Sequence, residues 1–211
     1  MKFAHAIGAV VVLASFYSFA GIDLRFGGGL NLSDETHSGD YTLPPYMSKK
    51  MHVGFNTGAS ADFLFSKQMG ILAGLSFETR GSQNTVNAAS APDYINLSEW
   101  PQEFSLNYLQ IPVLFSYRPI PSLTIALGPE MGIFLGGTIK LGNNSGNFDA
   151  IKTFDLGASL IVDYTFANMI AVGAGYYLGF LNNDGSSTAD ILNGGEMNTN
   201  IKLFVAYVLH L

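Results

Sequence analysis

The chain has 211 residues, of which 48% are hydrophobic and only 12% are charged, and its mean hydropathy is +0.26. The net charge is −6 and no run of Lys and Arg occurs, so the sequence lacks the basic surface that holds a nucleic acid backbone. No cysteine is present, which excludes disulfide bonds, thiolate catalysis and cysteine-based zinc sites. The many glycine and aromatic residues favour a curved sheet over a helical bundle.

The first twenty residues have the three parts of a secretory signal peptide. Met1-Lys2 is a short positive start, residues 6–14 are an apolar run, and Ser18-Phe19-Ala20 is a small-x-small cleavage site. Cleavage after Ala20 would leave a mature chain that begins at Gly21. The alternative, an uncleaved membrane anchor, is disfavoured because the apolar run is shorter than the roughly 20 residues that span a bilayer.

From Gly21 onward the residues alternate between apolar and polar, which is the period of a β-strand with two different faces. In the first segment Ile22, Leu24 and Phe26 share one face, while Asp23 and Arg25 share the other. The pattern predicts eight strands, at residues 22–32, 51–65, 71–80, 104–118, 123–136, 154–164, 170–179 and 198–211. Each is long enough for the roughly 9 to 11 tilted residues that cross a bilayer, and a closed barrel satisfies every backbone group there. The predicted fold class is therefore all-β, an eight-stranded antiparallel up-and-down transmembrane barrel over residues 21–211.

The fourth strand is the least regular of the eight. From Leu109 to Tyr117 the odd-numbered residues are apolar, but upstream the apolar positions are Phe104, Leu106 and Tyr108. A β-bulge near Asn107-Tyr108 would bring the two halves into one phase.

Short and long connections alternate along the chain. The links at 66–68, 119–122 and 167–168 are tight, whereas those at 34–50, 81–102, 142–151 and 183–196 are long and polar. Bacterial outer-membrane barrels have this asymmetry, with tight turns in the periplasm and long loops outside the cell.

Aromatic side chains mark the ends of the even-numbered strands, where the predicted topology places the periplasmic interface. Amphipathic rings prefer that position in a membrane. The predicted girdle consists of Phe63, Phe65, Phe115, Tyr117, Tyr164, Phe166 and Tyr207. A soluble barrel of lipocalin type would alternate in the same way with its apolar face inside. The polar face here is rich in glycine and ionisable groups, which fits a crowded lumen and favours the membrane alternative.

Several segments together resemble one family of proteins. They are Tyr108 to Leu114 (YLQIPVL), Ala126 to Gly132 (ALGPEMG), Phe154 to Gly157 (FDLG) and Tyr176 to Asn182 (YYLGFLN). In their order and spacing they resemble the outer-membrane β-barrel family that includes PorT-like and porin family proteins, and the architecture is similar to the OmpA/OmpX type. The resemblance covers the whole mature chain and implies an outer-membrane location, with no catalytic residues to transfer.

The last strand resembles a signal for the barrel-assembly machinery, with Tyr207, Leu209 and Leu211 spaced by two. It departs from the usual pattern because it ends with Leu instead of an aromatic residue and has Ala206 where Gly is common.

Nine charged residues fall on the predicted inner face. An eight-stranded barrel has an interior just wide enough for side chains to fill, so these charges are expected to pair with one another. A buried ion-pair network is favoured over a gated pore or a proton path, because an open channel generally needs a wider barrel. The set is Asp23, Arg25, Asp62, Glu78, Arg80, Glu130, Asp155, Asp163 and Lys202.

No catalytic, cofactor or metal residue is predicted. His52 has Ser60 and Asp62 on its own face, but they are eight and ten residues away along an extended strand, which is too far for a hydrogen bond. Partners for His52 on neighbouring strands are left open. His210 has no compelling partner in the pattern. The acidic stretch around Gly185 does not fit a calcium loop, and the glycine clusters lack the strand-to-helix context of a phosphate loop.

The predicted function is that of an integral outer-membrane protein with a structural, adhesive or envelope-interaction role through its long extracellular loops. A narrow pore for small solutes is the first alternative, and a lipid-modifying outer-membrane enzyme is the second. The expected partners are outer-membrane lipid, the barrel-assembly machinery during insertion and an unidentified extracellular or envelope partner. We expect a monomer that binds no nucleic acid.

Overall fold

The computed structural model describes residues 21–37, 46–87, 101–141, 144–148, 154–180 and 196–211. The predicted signal peptide and most of each predicted long loop lie outside these residues. The described residues form nine strands: β1 (Gly21–His37), β2 (Met47–Leu64), β3 (Met69–Val86), β4 (Pro101–Ile120), β5 (Leu123–Leu141), β6 (Asn144–Phe148), β7 (Phe154–Phe166), β8 (Ile170–Gly179) and β9 (Glu196–His210). Within these ranges no helix is long and apolar enough to cross a membrane.

Eight of these strands form a closed antiparallel ring. The hydrogen-bonded order is β4-β3-β2-β1-β9-β8-β7-β5, and the additional pairing of β4 with β5 closes it. The first and last strands meet from Asp23 opposite His210 to His37 opposite Glu196. The predicted eight-stranded up-and-down topology is therefore confirmed, since closure leaves no free strand edge around the ring.

Side chains divide into an apolar outer face and a polar inner face. Many large apolar residues on the outside are more than a third exposed, as Leu127 is at 57%. The buried set inside the ring is rich in charged and polar side chains. This arrangement is the reverse of the lipocalin alternative, and it matches a ring surrounded by lipid.

The strands extend further than the alternation predicted. On the side of the long connections β1 continues through His37, β2 starts at Met47, β3 continues through Val86 and β4 starts at Pro101. The sequence predicts these flanks as parts of loops, but they pair as strands, in β2 and β3 after a one-residue register shift between Met51 and Asn56. The short strand β6 was also not predicted, and it pairs with residues 137–141 of β5. Apolar alternation identifies only the part of each strand that faces lipid.

The predicted bulge occurs at the predicted level but on the other strand. Asn107 pairs with Gly136 and Tyr108 pairs with Phe134, so the extra residue is Leu135 of β5. Gly136 has a φ of 133°, a conformation that side chains rarely adopt, which explains the glycine at this point. Strand β4 keeps its phase, and its apolar Leu106 and Tyr108 therefore point inward and fill the ring.

The tight connections lie where the sequence predicted them, between β2 and β3, between β4 and β5, and between β7 and β8. In the last of these, Ala167 and Asn168 have φ values of 48° and 57°. Two consecutive residues with positive φ are typical of the two-residue turn that matches the twist of a hairpin.

Candidate functional site

The lumen of the ring is filled by two layers of ion pairs. All nine charged residues that the sequence placed on the inner face are buried, with exposed fractions of 7% or less. They come from six strands and converge in the interior of the ring.

The first layer, here called the Arg80 layer, consists of Glu78, Arg80, Glu130, Asp155 and Lys202. The Arg80 guanidinium contacts the Glu78 carboxylate at 2.9 Å, Glu130 at 3.1 Å and Asp155 at 3.4 Å. The Lys202 ammonium contacts Glu78 at 2.5 Å and Glu130 at 2.7 Å. Because these residues belong to β3, β5, β7 and β9, the contacts bridge the lumen from wall to wall.

Aromatic and amide side chains support the Arg80 layer. The face of Tyr177 lies 4.0 Å from the Arg80 guanidinium carbon, a distance at which a cation is attracted to the ring. Gly157 makes room for this ring, since a Cβ there would come within 2.6 Å of it. The Asn200 amide donates a hydrogen bond of 3.2 Å to Glu78. Packing and hydrogen bonds thus hold the central guanidinium in place.

The second layer, here called the Arg118 layer, lies towards the tight turns and consists of Asp23, Arg25, Asp62, Arg118 and Asp163. Arg25 donates to Asp163 at 2.5 Å and to the Thr124 hydroxyl at 3.0 Å. Arg118 contacts Asp23 at 2.5 Å and Asp62 at 2.7 Å. Four strands contribute charges, so this layer also joins opposite walls.

Arg118 is the lumen charge that the sequence reasoning missed. It follows Gln110 and Ser116 at even-numbered positions on the polar face of the fourth strand, but it is not among the nine charges predicted for the lumen. The structure buries it with 7% exposure and gives it two carboxylate partners. Its position in the alternation was a sufficient signal. With Arg118 added to the three predicted bases, the two layers contain six acids and four bases.

Two clusters of apolar side chains share the inner face with the ion-pair layers. Along β9, Phe204, Ala206 and Val208 lie between Lys202 of the first layer and the periplasmic end of the strand. On the opposite wall Leu72, Leu114 and Ala126 pack together against Ile161. A cavity of about 110 Å³ lies in this region, lined by glycines and by Arg25, Glu130 and Asp163.

The structure gives partners to both histidines that the sequence considered. His52 is buried and lies 3.5 Å from Glu103, whereas Asp62 is bound to Ser116 and Arg118 instead. The arrangement of His52 with Asp62 is therefore not formed. The expectation for His210 was wrong, because its Nδ1 lies 2.6 Å from the Asp23 carboxylate. Asp23 is the direct cross-strand partner of His210, a pairing that depends on closure of the ring.

The seven predicted girdle residues lie near the tight turns, and five of them are exposed on the outer face: Phe115, Tyr117, Tyr164, Phe166 and Tyr207. Phe63 and Phe65 are partly buried. The rings of Phe65 and Phe115 are 6.4 Å apart, and those of Tyr164 and Phe166 are 4.8 Å apart.

A closed ring of eight strands with an apolar exterior and a charged interior defines an integral membrane β-barrel. The sequence matches the model of the outer membrane protein beta-barrel domain over residues 16–185, and the chain belongs to this family. It is a protein of the bacterial outer membrane. No curated protein matches the sequence significantly.

Two solved structures illustrate the fold. Ail, the attachment invasion locus protein of Yersinia pestis, solved in complex with the heparin analogue sucrose octasulfate, is 14% identical with a TM-score of 0.50. The match covers 90% of this chain and 99% of Ail. Neisserial surface protein A is 12% identical with a TM-score of 0.50, over 88% of this chain and 96% of that protein.

Proposed function

We propose that this protein is a monomeric outer-membrane barrel with a closed lumen, and that it acts through its extracellular end in a structural, adhesive or envelope-interaction role. The observation that carries the proposal is the Arg80 layer. Arg80 is 1% exposed and is bound to carboxylates from three strands, while Lys202 reaches two of them from a fourth. A solute could pass only by separating these buried pairs, which is costly in a medium of low dielectric constant.

The asymmetry of the ring supports a role at the extracellular end. The strands near the long connections rise beyond the apolar band, whereas the opposite ends are joined by two- to four-residue turns. Binding residues are commonly placed on loops that a rigid scaffold holds in position. Ail, which has the same fold, is described as an attachment protein, and we extend that kind of role to this chain as part of the proposal.

The partner proposed for this chain is not a sulfated ligand of the kind bound to Ail. Two of the described lysines at the extracellular end are paired with carboxylates, Lys49 with Asp34 at 3.4 Å and Lys140 with Glu103 at 2.7 Å. These cations are already partly neutralised, and the whole chain carries a net charge of −6. A protein or glycan surface that binds through neutral contacts therefore fits better than a sulfated polymer.

The proposal includes the export and membrane insertion that the sequence predicts. Residues 1–20 direct export and are removed after Ala20, the barrel-assembly machinery inserts the mature chain, and the aromatic girdle anchors it at the periplasmic interface. The role is non-catalytic, and the two ion-pair layers serve to close and stiffen the barrel.

Two measurements on the full-length protein test the proposal. In planar lipid bilayers the purified, heat-modifiable barrel is expected to give no reproducible channels, and regular conductance steps would instead favour the narrow-pore alternative. In the second measurement, bacteria display either the wild type or a variant with residues 38–45, 88–100 and 181–195 shortened. The shortened variant is expected to fold but to lose attachment to other cells or surfaces. Equal attachment of both strains would contradict a role for the loops.

The lipid-modifying alternative has its own test. A His52→Ala variant and a deletion strain are compared with the wild type for their lipid A profiles. We expect three identical profiles, and a modification lost in both strains would refute the non-catalytic role.

A further inference from the structure

The cavity of about 110 Å³ in the lumen borders both ion-pair layers. Glu130 and Lys202 of the Arg80 layer line it together with Arg25 and Asp163 of the Arg118 layer. A single buried water molecule needs about 10 to 15 Å³, so the cavity has room for several molecules of this size.

Glycines on neighbouring strands create this space. Gly27 of β1 pairs with Gly58 of β2, and Gly74 of β3 pairs with Ser60 of β2. A Cβ atom at any of the three glycines would lie within 3 Å of an atom of the next strand. This part of the wall therefore presents no long side chain to the charges that reach the cavity from β5 and β7 on the far side of the ring.

Three of the charged side chains that line the cavity have a buried polar atom without a protein partner. These atoms are Nε of Arg25, Oε2 of Glu130 and Oδ1 of Asp163, and none forms a hydrogen bond with another of the described residues. The three residues are at most 5% exposed, so bulk solvent does not reach them. Because buried polar groups in proteins are almost always hydrogen-bonded, these atoms require a partner inside the cavity.

The lining favours a ligand that both donates and accepts hydrogen bonds. The N–H group at Arg25 Nε can only donate, whereas Oε2 of Glu130 is a carboxylate oxygen that accepts. An anion in the cavity would lie beside Glu130, and a cation would lie beside Arg25 and Lys202. No cluster of side chains suited to a metal ion occurs in the part of the chain that the structure describes. Water meets the requirement, and it can bind the Asp163 oxygen in either protonation state of that carboxyl group.

We propose that the cavity is a water-binding site in which a small cluster of ordered water molecules bridges the two ion-pair layers. The cluster accepts a hydrogen bond from Arg25 and donates to Glu130, so it joins β1 to β5 through the lumen. Buried water that makes two to four hydrogen bonds is costly to remove and behaves as part of the structure. The two layers therefore act as one hydrogen-bonded unit, although no open aqueous path crosses the Arg80 layer.

The test is NMR cross-relaxation between water and labelled methyl groups in the full-length protein, folded in lipid nanodiscs. Leu72 and Ile161 line the cavity, and their methyl groups are expected to show cross peaks with the sign of water that tumbles with the protein. Leu114 is the matched control, because it is buried in the same apolar cluster as Leu72 but does not line the cavity. No water cross peak is expected at Leu114.

A pair of variants locates the water. Ala206→Leu enlarges a side chain in the cavity lining and is expected to remove the water cross peaks of Leu72 and Ile161. Ala171→Leu makes the same change at the buried cross-strand neighbour of Ala206, which does not line the cavity, and is expected to keep both cross peaks. Heat-modifiable migration on a gel verifies that each variant is folded.

The wild type alone is sufficient to refute the proposal. Absence of water cross peaks at both Leu72 and Ile161 would overturn it, as would uptake of xenon, which binds dry apolar cavities. A folded Ala206→Leu variant that keeps the cross peaks would also overturn it. These results would leave the closed lumen intact, since conductance tests that separately. Cross peaks with the sign of rapidly exchanging water would instead contradict both the ordered cluster and the closed lumen.

Discussion

Replacement of Arg80 by Met removes the centre of the Arg80 layer and leaves its carboxylates in place. Three contacts of 2.9, 3.1 and 3.4 Å are lost at once. Lys202 then remains as the only cation of this layer beside Glu78, Glu130 and Asp155. Removal of one partner from a buried ion pair costs about 3 to 5 kcal/mol, because the remaining charge is buried without compensation. We expect Arg80→Met to lower the free energy of unfolding by about that amount.

The measurement is equilibrium unfolding in urea, with the barrel in lipid vesicles and the β-sheet followed by circular dichroism. The double variant Arg80→Met/Glu130→Gln removes one of the uncompensated charges, and we expect it to recover about 1 to 3 kcal/mol relative to Arg80→Met. Lys140→Met is the matched control, since its pair with Glu103 is exposed and is expected to contribute less than about 1 kcal/mol. A loss below about 1 kcal/mol in Arg80→Met, or strictly additive effects in the double variant, would refute the reasoning.

Three further substitutions test other parts of the barrel in the same unfolding assay. Arg118→Met removes the partner of two buried carboxylates and is expected to cost about 3 kcal/mol, whereas a change within about 0.5 kcal/mol would show that the Arg118 layer is not structural. Leu160→Arg places a charge on the outer face, where contact with lipid is expected to make it cost about 2 to 4 kcal/mol. An unchanged free energy of unfolding would contradict the assignment of this face to lipid. Gly157→Ala brings a Cβ within 2.3 Å of a carbonyl oxygen and is expected to cost about 1 to 3 kcal/mol, while Gly146→Ala, with its nearest neighbour at 3.9 Å, is expected to be nearly neutral.

The alternation of side chains was sufficient to predict the ring and its two faces. In β7, for example, Asp155, Gly157 and Ser159 are buried while Phe154 and Leu160 are exposed, as the period of two requires. The signal is strong because the two sides of the wall are chemically opposite, lipid outside and packed charge inside. A shift of one residue would exchange them.

Other features depend on contacts that alternation does not encode. The strand flanks above the apolar band have solvent on the outside, so their outer residues need not be apolar and the pattern fades there. The bulge was assigned to β4 because Leu106 and Tyr108 are apolar, yet both belong in the lumen. Tyr108 packs against Phe134, with ring centroids 5.5 Å apart. The alternation pattern of one strand does not predict a contact between two strands. The partner of His210 likewise became evident only when the first and last strands were placed side by side.

The ion pairs of the lumen connect parts of the chain that only closure brings together. Arg25 and Asp163 are 138 residues apart, and Glu78 and Lys202 are 124 residues apart. In an open sheet neither pair could form, and the charges would face lipid or require water. Each charge therefore disfavours the open sheet and is compensated in the closed ring. By this argument the two layers contribute to the specificity of closure as well as to its stability, because the barrel is the arrangement in which these charges are both buried and paired.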